Sequence, residues 1–201
     1  MQKQTPIHTV GIDEVGRGCL AGPVVACAVI WSEVETQAPT VADSKKLSDI
    51  TRRKLTNQIT QGAEAWGIGI CSASEIDSIN IRQASLLAMR RAMENCSVRP
   101  QYALVDGHDD PKLAVPTKTI IQGDAQVPII SCASIVAKVF RDNLMIAYAQ
   151  ELPGYAFEKH KGYGTQQHLV ALQTMGLTPI HRRSFKPVHE IQQQHASTLA
   201  D

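Results

Sequence analysis

Two adjacent carboxylates, Asp13 and Glu14, close an apolar run, and Gly16-Arg17-Gly18 follows almost at once. Two further acids, Asp106 and Asp124, stand beside Gly107 and Gly123. Adjacent anions in a partly buried place repel, by roughly 4 kcal/mol at about 4 Å and an effective dielectric near 20. Such a cluster is kept together either by cations or by protonation of one member. Carboxylate oxygens suit hard ions, so Mg²⁺ or Mn²⁺ is the expected cofactor. Mg²⁺ is typically held by few carboxylates together with substrate phosphate oxygens, which points to phosphoryl-transfer chemistry. Water then serves as the nucleophile, and no protein nucleophile is needed. Asp43, Asp109 and Asp110 read instead as turn residues, and His108 and His160 as surface residues.

The segment from Gly16 to Ala21 also fits G-x-G-x-x-A, the dinucleotide-binding fingerprint, with Glu33 and Glu35 near the ribose-binding offset. That fingerprint should open a helix, yet Pro23-Val24-Val25 reads as strand. A pyrophosphate would also lie beside Asp13 and Glu14. The competing reading is that the glycines admit a nucleic-acid backbone to close range, with Arg17 bonding a phosphate or sugar.

Elements must bring these residues together. Val10 and Ile12 alternate at strand period. Residues 23–31, PVVACAVIW, read as a buried strand. Ser48 is placed to cap a helix over about 49–61. A strand follows over 63–73, then a helix over 81–96 carrying Leu86, Leu87, Met89 and Met93. Short strands are expected at 102–105, ending in Asp106, and at 118–121, ending near Asp124. A helix over 131–150 carries Ile135, Val136, Val139, Phe140 and Leu144 on one stripe, with Ser134, Lys138 and Arg141 on another. Thr165 caps a last helix to about Met175, and the polar tail from His189 is expected to fray. This order predicts an α/β fold, a mixed sheet covered by helices, with acids at strand ends that converge at one sheet edge.

The chain has 201 residues, 43% of them hydrophobic, enough for one sizeable core plus a small appendage. The expected boundary is near Pro153-Gly154, giving a catalytic domain over 1–153 and a helical segment over 154–201. Five scattered cysteines without Cys-x-x-Cys spacing, no signal-peptide pattern and no membrane span lead to the expectation of a cytoplasmic monomer. Net charge is only +1, which excludes a protein that coats nucleic acid by charge alone. Between Ala156 and Glu190, however, Lys159, Lys161, Arg182, Arg183 and Lys186 face only Glu158 and Glu190. Lys159, Lys161, Arg182 and Arg183 are candidate phosphate contacts, as are Lys45 and Lys46. Tyr163, set between Gly162 and Gly164, reads as an exposed ring able to stack on a sugar or base.

Several ordered motifs together resemble the ribonuclease HII (type 2 ribonuclease H) family: GIDEVGRGCLAGPVV, ADSKKLS, VDG, GDA, SCASIVAKVFRD and KHKGYGT. The resemblance runs from Val10 to about Pro187, and Cys19 stands where the family commonly has proline. It implies a ribonuclease H-like fold with a helical C-terminal segment. It implies that Asp13, Glu14, Asp106 and Asp124 bind two divalent ions and carry catalysis; of these, Asp13 is the candidate for a ligand shared by both ions. It implies that Gly16, Arg17 and Gly18 contact the RNA–DNA junction and that Tyr163 stacks on the adjoining deoxyribose. Lys45, Lys46, Ser134 and Lys138 are further candidate backbone contacts. The implied substrates are RNA–DNA hybrids and duplex DNA with embedded ribonucleotides, cut 5′ to the ribonucleotide to leave 3′-hydroxyl and 5′-phosphate ends. A binding module with a degenerate site and a junction resolvase of related fold are the alternatives; the complete acid set opposes the first, and Gly-Arg-Gly with Tyr163 opposes the second.

Overall fold

The computed structural model describes residues 8–31 and 47–198. Five strands, β1 (Thr9–Val15), β2 (Val24–Trp31), β3 (Ala65–Cys71), β4 (Tyr102–Asp106) and β5 (Thr117–Ile120), form one mixed sheet in the order β3-β2-β1-β4-β5. Strand β1 is antiparallel to β2 and parallel to β4, and β4 is parallel to β5. The described helices are α1 (Asp49–Gly62), α2 (Ala73–Glu94), α3 (Gly123–Gln126), α4 (Pro128–Glu151), α5 (Phe157–His160), α6 (Gln166–Met175) and α7 (Lys186–Thr198). The expected α/β class, a mixed sheet with flanking helices, is what forms.

The chain divides into two compact units. The first holds the described parts of 1–15, 25–70 and 85–139, and the second holds 16–24, 71–84 and the described residues from 140 onward. The division falls inside α2 and α4, and residues 153–154 lie within the second unit.

Every residue of β2 is buried, as its unbroken apolar run requires. Cys27, Val29 and Trp31 pack with Ile59 of α1 and with the run from Ile129 to Ala137 of α4. Helix α4 approaches β1 at Gly11, where a Cβ would lie only 2.4 Å from the Ile129 carbonyl oxygen. From that contact, five residues along a helix advance about 7.5 Å and two along a strand about 6.8 Å. Ser134 therefore draws level with Asp13, which shares the Gly11 face of β1.

In the second unit, Tyr155 and Phe157 stack at 5.3 Å in a core with Met145 and Ala171. Leu20, Leu172, Val188 and Ile191 form another. The tail expected to fray is helical to Thr198, because Val188 and Ile191 on one face of α7 have this core to enter. Helix α2 also begins earlier than its apolar spacing predicts. Ser72 and Glu75 form a reciprocal capping box, with bonds of 2.8 and 3.2 Å, and this S-x-x-E pattern is legible in the sequence. Asn80, at φ 66°, then kinks the helix, and its side chain accepts from the Gln83 amide to restart it.

Candidate active site

Asp13 and Glu14 are the fifth and sixth residues of β1. Asp13 is buried and Glu14 half-buried, so the two point to opposite faces of the strand. The parallel register pairs Ile12 with Val105, which makes Asp13 and Asp106 the next neighbours across β1 and β4. Beyond β5 the chain turns into α3, and Asp124 sits in the first turn of that helix, not at a strand end as the sequence predicts. The Asp106 carboxylate receives this turn, accepting from the Gly123 amide at 2.6 Å and more loosely from the Asp124 amide at 3.4 Å. One carboxylate thus ties the β4 end to the residue that carries the fourth acid.

The electrostatics centre on Asp13. Burial holds its carboxyl well above the usual range, and the charges of Glu14 and Asp106 push the same way. The Ser134 hydroxyl and the Glu14 amide, which donates to Asp13 Oδ1 at 2.7 Å, oppose the rise. Ser134 therefore meets an acid directly, although the sequence offers it as a nucleic-acid contact. Lys138, one turn further along α4 and half-buried, shares that helix face. Three thiols near this strand, Cys27, Cys96 and Cys132, are raised by burial, the last two to about 11 and about 12, and stay protonated.

The glycine loop belongs to the second unit. It opens no helix and leads directly into antiparallel β2, which excludes the dinucleotide-binding reading. Gly16 has φ +94°, and a Cβ there would lie 2.2 Å from Arg141 Nε. Gly18 differs: its φ is not in the left-handed region, it is exposed, and a Cβ would meet nothing within 4 Å. Protein packing explains glycine at 16 but not at 18. Arg17, between them, is exposed.

Tyr163 is 41% exposed. Its loop docks on the Leu20–Ala21 main chain, since the Leu20 amide donates to the Gly162 carbonyl at 2.8 Å. A Cβ on Gly162 would lie 2.4 Å from the Ala21 oxygen. The Tyr163 side chain hydrogen-bonds that of Cys19, and burial raises its phenol. Lys159 and Arg183 are exposed and Lys161 half-buried. Lys45 and Lys46 lie outside the described residues, as do Asp43, Glu33 and Glu35.

Three expectations are corrected. Arg182 is no exposed phosphate contact: it is fully buried, burial lowers its guanidinium to about 10, and it donates to the carbonyls of Gly16, Arg17 and Gly22. Arg141 leaves the polar stripe of α4 for the interior, donating to Pro23, Ala21 and Lys161 carbonyls. His160, expected at the surface, is buried; it takes the Gly162 amide on Nδ1 at 3.1 Å and gives its Nε2 proton to the Tyr155 carbonyl at 2.7 Å. Its ring stacks on His168 at 4.5 Å, and His168 Nε2 meets His181 Nε2 at 3.0 Å. The Thr178 amide donates to His181 Nδ1, and His168 Nδ1 donates to the Tyr163 carbonyl, which sets the tautomers of the two rings. Burial lowers them to about 4 and about 3 respectively for His168 and His181. No short-range sequence pattern announces these pairs, which are brought together by tertiary packing alone.

A family model described as ribonuclease HII matches residues 10–188. Ribonuclease HII of Desulfitobacterium hafniense (strain Y51) is 49% identical over 184 residues, 92% of this chain and 70% of that protein. Ribonuclease HII of Coxiella burnetii (strain Dugway 5J108-111) is 48% identical over 181 residues, 90% of this chain and 89% of its own. The chain belongs to the ribonuclease HII family. As a ribonuclease HII family member it is a divalent-metal-dependent endoribonuclease of the ribonuclease H type, a hydrolase acting on nucleic acid. The fold agrees: ribonuclease H2 of Pyrococcus horikoshii OT3 superposes with a TM-score of 0.80 at 23% identity, over 94% of this chain and 99% of that one. No helix among the described residues is long and apolar enough to cross a membrane.

The donor set of this ribonuclease HII fits the metal dependence. Every candidate ligand is a carboxylate, the chemistry hard divalent ions prefer. Among the described residues, no three His, Cys, Asp or Glu side chains form a ready-made cage.

Proposed function

We propose that this ribonuclease HII hydrolyses the RNA strand of RNA–DNA hybrids and cuts duplex DNA on the 5′ side of single embedded ribonucleotides, leaving 3′-hydroxyl and 5′-phosphate ends. The observation that carries the chemistry is Asp13, a buried carboxyl on which the charges of Glu14 and Asp106 converge. Asp13, Glu14, Asp106 and Asp124 would hold two divalent ions, Mg²⁺ or Mn²⁺. Bound there, the ions would supply activation of the attacking water and charge neutralisation at the leaving 3′ oxygen.

The chain's own residues do the rest. Ser134 donates to Asp13 and orients its carboxyl. Asp106 caps the turn that carries Asp124. Gly18, bare where protein packing does not require it, leaves room for a sugar–phosphate backbone to approach the main chain. Arg17 binds that backbone, and the half-exposed Tyr163 ring covers the apolar face of the adjoining deoxyribose. Lys45, Lys46 and Lys138 add phosphate contacts. Residues 1–153 supply the chemistry and 154–201 a helical grip on substrate, in a cytoplasmic monomer that serves ribonucleotide excision during DNA replication and repair.

The test is an end-labelled DNA duplex with one ribonucleotide, incubated with and without Mg²⁺ or Mn²⁺. The expected product is a single metal-dependent cut 5′ to the ribonucleotide with a 3′-hydroxyl, and no cut in the all-DNA duplex. Cleavage on the 3′ side, or of the all-DNA duplex, refutes the proposal.

A further inference from the structure

The loop over residues 16–23 is held from beneath by two buried guanidiniums. Arg182 donates through Nη2 to Gly16 at 2.7 Å, through Nη1 to Arg17 at 2.9 Å and through Nε to Gly22 at 3.0 Å. Arg141 donates to Pro23 at 2.9 Å and to Ala21 at 3.1 Å. The Arg182 amide itself takes the Leu20 carbonyl at 2.9 Å. Six of the eight carbonyls from 16 to 23 are thereby engaged, five of them by guanidinium nitrogens. The Arg182 fork is in turn seated over the Phe185 ring at 5.1 Å.

This has a directional consequence. A trans peptide unit is planar, and its C=O and N–H point in opposite directions. A guanidinium that captures the Gly16 and Arg17 carbonyls turns the amides of Arg17 and Gly18 the other way. Those are successive donors on an exposed turn, beside a glycine that neither a left-handed φ nor a crowded Cβ requires. Successive N–H groups aimed together form a concave donor set suited to a single oxygen. A lysine cannot replace the fork, because an ammonium is a point charge without the planar five-donor geometry.

We propose that Arg182 is the positioning residue for ribonucleotide recognition: by fixing the Gly16 and Arg17 carbonyls on its guanidinium, it aims the Arg17 and Gly18 amides at the 2′-hydroxyl of the substrate. Arg141 holds the far end of the same loop and Phe185 fixes the Arg182 fork. Arg182 touches no substrate and acts through the loop. The proposal rests on the reading of Gly16–Gly18 as the ribonucleotide-recognition loop.

The experiment measures binding without cleavage. Fluorescence anisotropy in EDTA compares a one-ribonucleotide duplex with the all-DNA duplex of the same sequence, for the wild type and for Arg182→Lys, Phe185→Leu and Gly18→Ala. The wild type is expected to prefer the ribonucleotide duplex. Arg182→Lys should lower that preference at least tenfold while changing all-DNA affinity less than threefold, and Phe185→Leu should lower it partially. If Arg182→Lys lacks a cooperative melt, Phe185→Leu alone decides, and an unchanged preference there overturns the proposal. An equal loss on both duplexes means that the amides hold a phosphate oxygen, and that also overturns it. If Gly18→Ala abolishes the preference but folded Arg182→Lys keeps it, the loop reading stands and the role of Arg182 falls. A wild type without any preference overturns both.

Discussion

Gly16 and Gly18 flank one arginine, and the structure gives their replacement by alanine opposite consequences. At Gly16 the backbone is at φ +94° and the new methyl would sit 2.2 Å from Arg141 Nε. The conformation alone costs about 1–3 kcal/mol in a residue with a side chain. Displacing Arg141 weakens its bond to Pro23, and a bond to a charged group contributes about 1.5–3 kcal/mol. Gly16→Ala should therefore destabilise by about 3–5 kcal/mol, a fall of roughly 6–20 °C in Tm for a chain of this size. At Gly18 the methyl enters open space, so stability should change by no more than about 1 kcal/mol and Tm by under about 4 °C. Activity should not follow stability. The methyl at 18 stands where the proposed function brings the substrate backbone, and a misplacement of about 1 Å costs about 10²-fold in rate. Gly18→Ala should thus lose about that factor in kcat/KM on a one-ribonucleotide duplex while melting like the wild type. The assay is thermal melting by circular dichroism beside steady-state cleavage. A Gly18→Ala variant that cleaves at the wild-type rate refutes the reasoning, and so does one as unstable as Gly16→Ala.

Asp13→Asn should abolish Mg²⁺-dependent cleavage without unfolding the chain. Because the folded carboxyl is raised, the native state binds more protons than the unfolded state once pH exceeds the unfolded value near 3.9, so wild-type stability falls as pH rises through that window. The variant should match or exceed wild type in urea unfolding at pH 7 and lose that advantage near pH 3–4; near-normal cleavage would contradict the assignment. Tyr163→Phe keeps the stacking ring and loses only a bond to the Cys19 side chain, costing below about 1 kcal/mol, whereas Tyr163→Ala should cost about 1–3 kcal/mol on one-ribonucleotide substrates. Equal impairment of the two variants in that cleavage assay means the hydroxyl, not the ring, is at work. His168 and His181 are lowered from 6.5 to about 4 and about 3, so the stability they confer is complete above pH 6.5 and declines as pH falls toward 4. Each contributes a slope of up to about 1.4 kcal/mol per pH unit; urea midpoints of His168→Gln between pH 7 and 4 should fall less steeply than wild type, and parallel curves would exclude this histidine pair as the source.

How much of this was legible beforehand follows from the range of the forces involved. Strand period, the apolar run of β2 and the caps at Ser48 and Thr165 are local signals, and the structure uses them as read: Ser48 and Thr165 accept from Thr51 and His168 amides at 3.2 and 3.3 Å. The capping box at Ser72–Glu75 was equally local and equally legible. The four acids could be marked by residue type and neighbouring glycine, but their relation is a matter of register. Only the pairing of Ile12 with Val105 sets Asp106 beside Asp13. Only a carboxylate accepting from the Gly123 amide shows that Asp124 belongs to a helix turn and not to a strand end.

Arg182 marks the limit most clearly. Its sequence neighbourhood, His-Arg-Arg-Ser, reads as a basic surface, and Arg183 is exposed as that reading expects. Arg182 is buried because three carbonyls 160–166 positions away offer its guanidinium a full set of acceptors. A buried cation is costly unless its donors are satisfied, and whether they are depends on contacts no window of sequence contains. The same holds for the neutral histidines. Composition and spacing determined which residues could do chemistry on a phosphodiester; burial and long-range hydrogen bonding decided which of the charged ones stay exposed and which are buried against the main chain they hold.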